Sequence, residues 1–224
     1  MLDAPPAHPV VWESPPKGPV LVIAPHPDDE ALGCGGVIIR HARQGDRVKV
    51  LFVTDGAAGD PSGHFTGTDY RELRREEAGR AAEVLGVKEL VFWDCPDGKL
   101  VETLDLAERL TRVLEADQPS TIYSPSAHEI HPDHWAVAAG LHKALGSFRG
   151  SSVVYYYEVW AAIVPTHLFD ITAVWDQKRR AMEQYQSQLR YKDYPHTIGG
   201  LNAYRSIYLP VARYAEAFRV GNYS

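Results

Sequence analysis

The sequence predicts an α/β fold, a Rossmann-like three-layer sandwich with a mostly parallel sheet. Three observations carry that expectation. Short apolar runs recur along the chain without the polar alternation of a half-exposed strand, as strands buried on both faces require. Segments with apolar residues at helical spacing separate these runs, so strands and helices alternate. Polar or glycine-rich loops follow the strand candidates, where open parallel sheets form their ligand crevice. A chain of 224 residues can bury most of its unfolded surface in one such unit, so 1–224 is read as a single domain with a proline-rich arm over 1–18.

The first strand is the run PVLVIA at 19–24. Polar residues follow, then a helix over 30–43 that Gly45 and Asp46 terminate. VKVLFV at 48–53 supplies the second strand and ends on Thr54, Asp55 and Gly56, closing a βαβ unit. The stretch 56–67 is a loop, and 70–85 a charged helix with Gly86 in the usual terminating position. Residues 90–93, 121–123 and 153–157 are further strands, with helices over 103–116 and 135–145 between them. A shorter strand at 168–171, a late helix over 178–189 and an irregular 195–224 complete the chain. G-C-G-G at 33–36 invites comparison with a phosphate loop, but it lies inside the helix instead of opening it. Close helix-to-sheet packing is therefore expected there.

A hydrophobic fraction of 45% with 23% charged residues belongs to a folded chain with a substantial core. The net charge of −6 argues against a broad basic surface, so nucleic acid is not an expected partner. Only Cys34 and Cys95 are present, too few for a disulfide framework or an all-cysteine zinc site. The first residues do not resemble a secretory signal, and no apolar run reaches the ~20 residues of a membrane helix. A cytoplasmic protein without a membrane partner is expected, and a homo-oligomer is left open.

Chemistry concentrates in two clusters. His26, Asp28, Asp29 and Glu30 follow the first strand directly, and His128, Glu129, His131, Asp133 and His134 follow the fourth. Adjacent carboxylates repel one another unless a cation, hydrogen bonds or solvent stabilise them, and a divalent ion does so most strongly. A solvated helix start is the plainer alternative for the first cluster. In strand order 3-2-1-4-5 the first and fourth strands are neighbours at the topological switch point, which brings both clusters to one crevice. Histidine, carboxylate and histidine with an open position is a catalytic zinc arrangement. Two or more imidazoles favour zinc over magnesium, which counts against a phosphoesterase. A non-catalytic sugar- or nucleotide-binding Rossmann module is the other alternative, and it leaves Asp28 without a purpose.

These residues resemble a known family. A-P-H-P-D-D-E at 24–30 and H-P-D-H at 131–134 are similar to the paired motifs of PIG-L/LmbE zinc-dependent N-acetylglucosaminyl deacetylases. The similarity continues through T-D-G at 54–56, R-x-x-E at 74–77, P-D-G at 96–98 and S-Q at 187–188, with Tyr185 where many members carry histidine. The resemblance implies an LmbE-like fold and a hydrolase that removes acetyl from an N-acetylated amino-sugar conjugate, a small molecule. It implies one Zn2+ per chain, or another divalent metal, held by His26, Asp29 and His134. Asp28 would be the general base for a metal-activated water, and His131 would stabilise or protonate the tetrahedral intermediate. Asp133 would orient a neighbouring histidine.

Arg74 and Asp97 align with family positions that face the substrate, and the aromatic residues 155–157 with Trp160 offer further contacts to an aglycone. Read alone, Arg74 is equally a surface ion pair with Glu77, and Asp97 a turn residue before Gly98. Asp55 either supports a metal-site histidine or caps its loop. Isolated histidines such as His41 are expected to be satisfied or solvated.

Overall fold

The structure, a computed structural model, describes residues 8–223. Its elements are β1 (Val10–Trp12), β2 (Val20–Ala24), α1 (Asp29–Arg43), β3 (Val48–Thr54), α2 (Tyr70–Leu85), β4 (Glu89–Cys95), α3 (Leu106–Asp117) and β5 (Thr121–Pro125). There follow α4 (Pro132–Leu145), β6 (Ser152–Tyr157), β7 (His167–Asp170), α5 (Trp175–Met182), α6 (Gln186–Leu189), α7 (Tyr194–Arg205) and β8 (Ala215–Tyr223). All eight strands join one sheet in the order β1-β7-β8-β6-β5-β2-β3-β4. β8 runs antiparallel to both its neighbours, and every other pairing is parallel. The expected 3-2-1-4-5 order is the run β4-β3-β2-β5-β6 within it.

β2 explains the three layers. Its side chains alternate, so Val20, Val22 and Ala24 face one core while Leu21 and Ile23 face the other. The first core is closed by α1, α2, α5 and α7, through residues such as Ile38, Ala81, Met182 and Ile198. The second is closed by α3 and α4, through Leu110, Leu114, Val137 and Leu141. Local signals set the helix ends: Asp69 accepts the Glu72 N–H at the start of α2, and Gly86 ends it at φ 82°. Among the described residues, no helix is long and apolar enough to cross a membrane.

Three expectations need correction. The proline-rich arm is partly a strand, since Val10–Trp12 pairs with His167–Phe169; residues 1–7 lie outside the described residues. The late helix is two helices, α5 and α6, because the chain turns at Glu183 to Tyr185 and sends Tyr185 into the core. The supposedly irregular end contains α7 and β8. Pro195 lies in the first turn of α7, where its missing N–H costs nothing, and Asp193 caps the His196 N–H at 3.0 Å. β8 was disguised by Glu216, a charge in a strand interior that is nonetheless fully buried.

Glu216 is buried because α1 is broken. Cys34 leaves the helical region (φ −142°, ψ 21°), so backbone groups on either side lose their intrahelical partners. The Glu216 carboxylate accepts the N–H groups of Gly36 (2.7 Å) and Val37 (2.9 Å). Lys178 Nζ donates to Leu32 O at 2.9 Å and to Glu216 at 2.7 Å. The glycines of G-C-G-G serve packing, as expected: a Cβ on Gly33 would sit 2.3 Å from the Tyr157 ring, and one on Gly36 2.4 Å from Ile171.

Candidate metal centre and active site

Adjacency of β2 and β5, which pair from Val20↔Thr121 to Val22↔Tyr123, delivers the two polar loops to one crevice. Asp28 turns the first loop into α1 at φ 141°, ψ −28°. Its N–H donates to Glu30 Oε2 (3.2 Å), and Arg74 Nη2 donates to Asp28 Oδ2 (3.2 Å) and to Pro27 O. The turn sends consecutive carboxylates in different directions. Asp29 Oδ2 accepts the His26 N–H (2.9 Å) and lies 3.1 Å from both His26 Nδ1 and His134 Nε2.

The donor set suits a divalent cation. Ligand atoms of His26, His131 and His134 lie within 4.8 Å of one another, as do those of His26, Asp97 and Asp133. His134 is fully buried, yet neither ring nitrogen makes a properly oriented hydrogen bond despite the close approach to Asp29. Buried nitrogens without partners are costly unless something binds them. Behind His26, Nε2 lies 3.0 Å from Asp97 Oδ1 and 3.2 Å from Asp133 Oδ2. Behind His134, Nδ1 lies 3.8 Å from Glu129 Oε2. Carboxylates behind imidazoles are the usual support for metal-ligating histidines.

Electrostatics separate the acids. Burial raises the Asp28 pKa to about 6, against the lowering effect of Arg74. Burial also opposes the charge on Asp29, but His134 and His26 outweigh it and hold that carboxyl well below its ordinary range. Glu30 is pushed up to about 8 by burial, with the Tyr185 hydroxyl donating to it in partial compensation. For His26, burial is outweighed by hydrogen bonds to Asp133, Asp29 and Asp97, and its pKa rises. His131 is lowered, first by burial and then by the neighbouring His26 and His134.

Other expected residues fall around this centre. Asp133 bonds His26 and also accepts the N–H groups of Gly98 (2.7 Å) and Leu100 (3.0 Å), so it ties the P-D-G loop to the site. Its own N–H donates to His131 Nδ1 at 3.3 Å, with His131 as the cap of α4. Asp97 approaches His26 and accepts the Ala58 N–H at 3.0 Å. Asp55 accepts from Ala57 N (3.0 Å) and Asp97 N (3.2 Å), a loop brace that does not touch the histidines. Arg74 is buried and forms no surface pair with Glu77, whose carboxylate instead accepts from Ser187 N (2.7 Å) and Oγ (2.6 Å). Arg74 Nε and Nη1 are buried without partners.

A cleft of about 140 Å³ opens over these groups. His26, Asp28, Asp29, Arg74, Asp97 and His131 line it, together with Trp160, Gln188 and Tyr194 from later in the chain. Tyr194 went unseen in the sequence, because no motif marks it. The expected aromatic contacts narrow to Trp160: Tyr155 and Tyr157 belong to the core, and Tyr157 donates to Ile23 O at 2.9 Å. His128 lies outside the cleft, with Nδ1 3.4 Å from Ser126 Oγ.

A family profile described as PIG-L, GlcNAc-PI de-N-acetylase, matches residues 21–145. The chain belongs to this family. This PIG-L member is 31% identical over 189 residues to the diacetylchitobiose deacetylase of Thermococcus kodakarensis, covering 75% of the chain and 69% of that relative. It is 29% identical to the 4-oxalmesaconate hydratase of Pseudomonas putida, covering 91% of the chain and 89% of that protein. The solved N,N'-diacetylchitobiose deacetylase of Pyrococcus horikoshii has the same fold, with a TM-score of 0.81 at 24% identity, over 91% of this chain and 83% of that one.

Proposed function

We propose that this PIG-L member is a zinc-dependent N-deacetylase that hydrolyses the acetamide of an N-acetylglucosaminyl small-molecule conjugate. The observation that carries the reading is the division of labour between adjacent carboxylates. Asp29 approaches two histidines, whereas Asp28 is buried against Arg74 at the cleft wall, where burial raises its pKa to about 6. His26, Asp29 and His134 hold the ion. A zinc ion bound there supplies Lewis acidity, polarising the amide carbonyl and acidifying water.

The chain's own groups move the protons. Asp28 takes a proton from the attacking water as the new C–O bond forms, and returns it to the amide nitrogen as the C–N bond breaks. Acetate and a free amine leave. His131 Nδ1 accepts the Asp133 N–H, so a neutral ring carries its proton on Nε2 and can donate to the oxyanion. Asp133 and Asp97 engage His26 Nε2 and leave Nδ1 for the ion. A cytoplasmic setting is part of the proposal, supported by two free, buried cysteines.

The hydratase relative, similar over nine-tenths of both chains, supports a second reading in which the same centre adds water to a carbon–carbon double bond. One assay separates them. Zinc-loaded protein should release acetate from N-acetylglucosaminyl conjugates and leave 4-oxalmesaconate unchanged. Elemental analysis should find one zinc per chain, strongly reduced in His26→Ala, Asp29→Ala and His134→Ala. Full zinc content in all three variants would remove the ligand set; hydration of 4-oxalmesaconate without acetate release would remove the deacetylase.

A further inference from the structure

Asp28 sits on a turn that needs outside support. It leads into α1 at φ 141°, a conformation that residues with a side chain rarely adopt unless their surroundings hold them there. One such hold is the hydrogen bond from the Asp28 N–H to Glu30 Oε2, at 3.2 Å. The Glu30 carboxyl turns about a soft terminal torsion, so this contact lasts only if its other oxygen is fixed as well. The hydroxyl of Tyr185, 155 positions further on, donates to that oxygen, Oε1.

The local chain places Tyr185 for this contact. α5 stops at Met182, and Tyr185, at φ −83°, ψ 59°, leaves the helical region and immediately precedes α6. Its carbonyl accepts the N–H groups of Gln188 and Leu189 at 3.0 Å, and Ser187 pins α6 to α2 through the Glu77 carboxylate. Tyr185 and Glu30 are each 1% exposed. Packing alone would be served by phenylalanine, since a buried hydroxyl is costly without a partner. The ring makes a second connection. Arg74 Cζ lies 5.8 Å from its centroid, within cation–π range, and Arg74 Nη2 donates to Asp28 Oδ2 at 3.2 Å. Tyr185 thus reaches the backbone of Asp28 through Glu30 and its carboxylate through Arg74, and does not itself line the cleft.

We propose that Tyr185 is a positioning residue for Asp28, acting through the Glu30 carboxyl and the Arg74 guanidinium without touching substrate. The proposal rests on Asp28 as the general base and adds what aims that base. A displacement of about 1 Å caused far from the chemistry can cost about 10²-fold in rate. Because Tyr185 stays out of the cleft, its loss should fall on kcat and spare KM.

The test measures acetate release, zinc content and hydrogen exchange of the Asp28 amide, read by NMR, in the zinc-loaded full chain. Tyr185→Phe keeps the ring and removes the hydroxyl. Its kcat should fall about 10-fold to 10²-fold with KM within about twofold of wild type, zinc intact and the Asp28 amide exchanging faster. Tyr185→Leu, which also withdraws the ring from Arg74, should lose more. Glu30→Gln offers an amide that accepts the Asp28 N–H and donates to the phenol oxygen, so it should keep most of the turnover that Glu30→Leu loses. An unchanged kcat or Asp28 amide in Tyr185→Phe, a loss carried by KM or by missing zinc, or equal losses in Glu30→Gln and Glu30→Leu would overturn the positioning role. Asp28→Asn separates this from the reading beneath it. Near-normal turnover there would overturn the base and its positioning together, whereas an inactive Asp28→Asn beside a fully active Tyr185→Phe would overturn the positioning alone.

Discussion

Asp28 adopts φ 141°, a conformation whose strain costs about 1–3 kcal/mol in an ordinary residue. Glu30, through the Asp28 N–H, and Arg74, through Pro27 O and the Asp28 carboxylate, hold it there. In the proposed mechanism this turn is what lets neighbouring acids serve different tasks. Asp28→Asn should retain zinc and lose about 10²–10⁴-fold in turnover, because an amide cannot take the proton; near-normal turnover with intact zinc would exclude Asp28 as the base. Arg74 lowers the Asp28 pKa, so its removal must raise it. In Arg74→Met the acid limb of kcat/KM should therefore move to higher pH. A pH profile that stays put would show that Asp28 is not the group titrating in that limb.

At the scale of elements, the break in α1 couples the helix that begins at the Asp28 turn to the far end of the chain. Lys178 and Glu216 are both fully buried, and each satisfies backbone groups that the break leaves free. Removing one partner of such a pair strands the other charge, a loss of about 3–5 kcal/mol. Glu216→Ala should lower stability on that scale in chemical unfolding, and Lys178→Met/Glu216→Leu should recover part of it. A single variant within 1 kcal/mol of wild type, on the order of a surface substitution, would mean that water replaces the pair. Gly33→Ala tests the packing of the same helix. Its Cβ would meet the Tyr157 ring, and overpacking of this kind costs about 1–3 kcal/mol.

At the scale of the whole molecule, His41 links elements remote in sequence. Its Nδ1 contacts Asp46 at 2.7 Å and its Nε2 contacts the Tyr123 hydroxyl at 2.9 Å, while Asp46 also accepts the Gly18 N–H at 3.1 Å. Burial lowers the His41 pKa, against the raising effect of Asp46. The unfolded chain thus binds this proton at higher pH than the folded one, so stability declines as pH falls below about 6.5 and is fully lost to this group below the folded value. His41→Gln should flatten the slope of unfolding free energy between about pH 5 and 7. His131 and His167 are lowered as well, so the difference between the two proteins isolates His41. Equal slopes would remove His41 from the acid response.

What the sequence by itself determined is local. Apolar runs specify strands through side-chain alternation, loops after them carry the His26 to Glu30 and His128 to His134 clusters, and parallel connectivity brings β2 beside β5. The family followed from contiguous motifs in those loops. What only the tertiary structure decided depends on partners far along the chain. Glu216 in β8 looks like a strand breaker until Gly36 and Val37, 180 and 179 positions away, supply its hydrogen bonds. Arg74 passes for a helix surface charge until Asp28 is brought against it. Trp160 and Tyr194 belong to no motif, and meet at the cleft only because Glu129, Glu158 and Arg205 fix the loop to α7. A buried charge is stable only with its partner, and sequence records the charge without the distance to that partner.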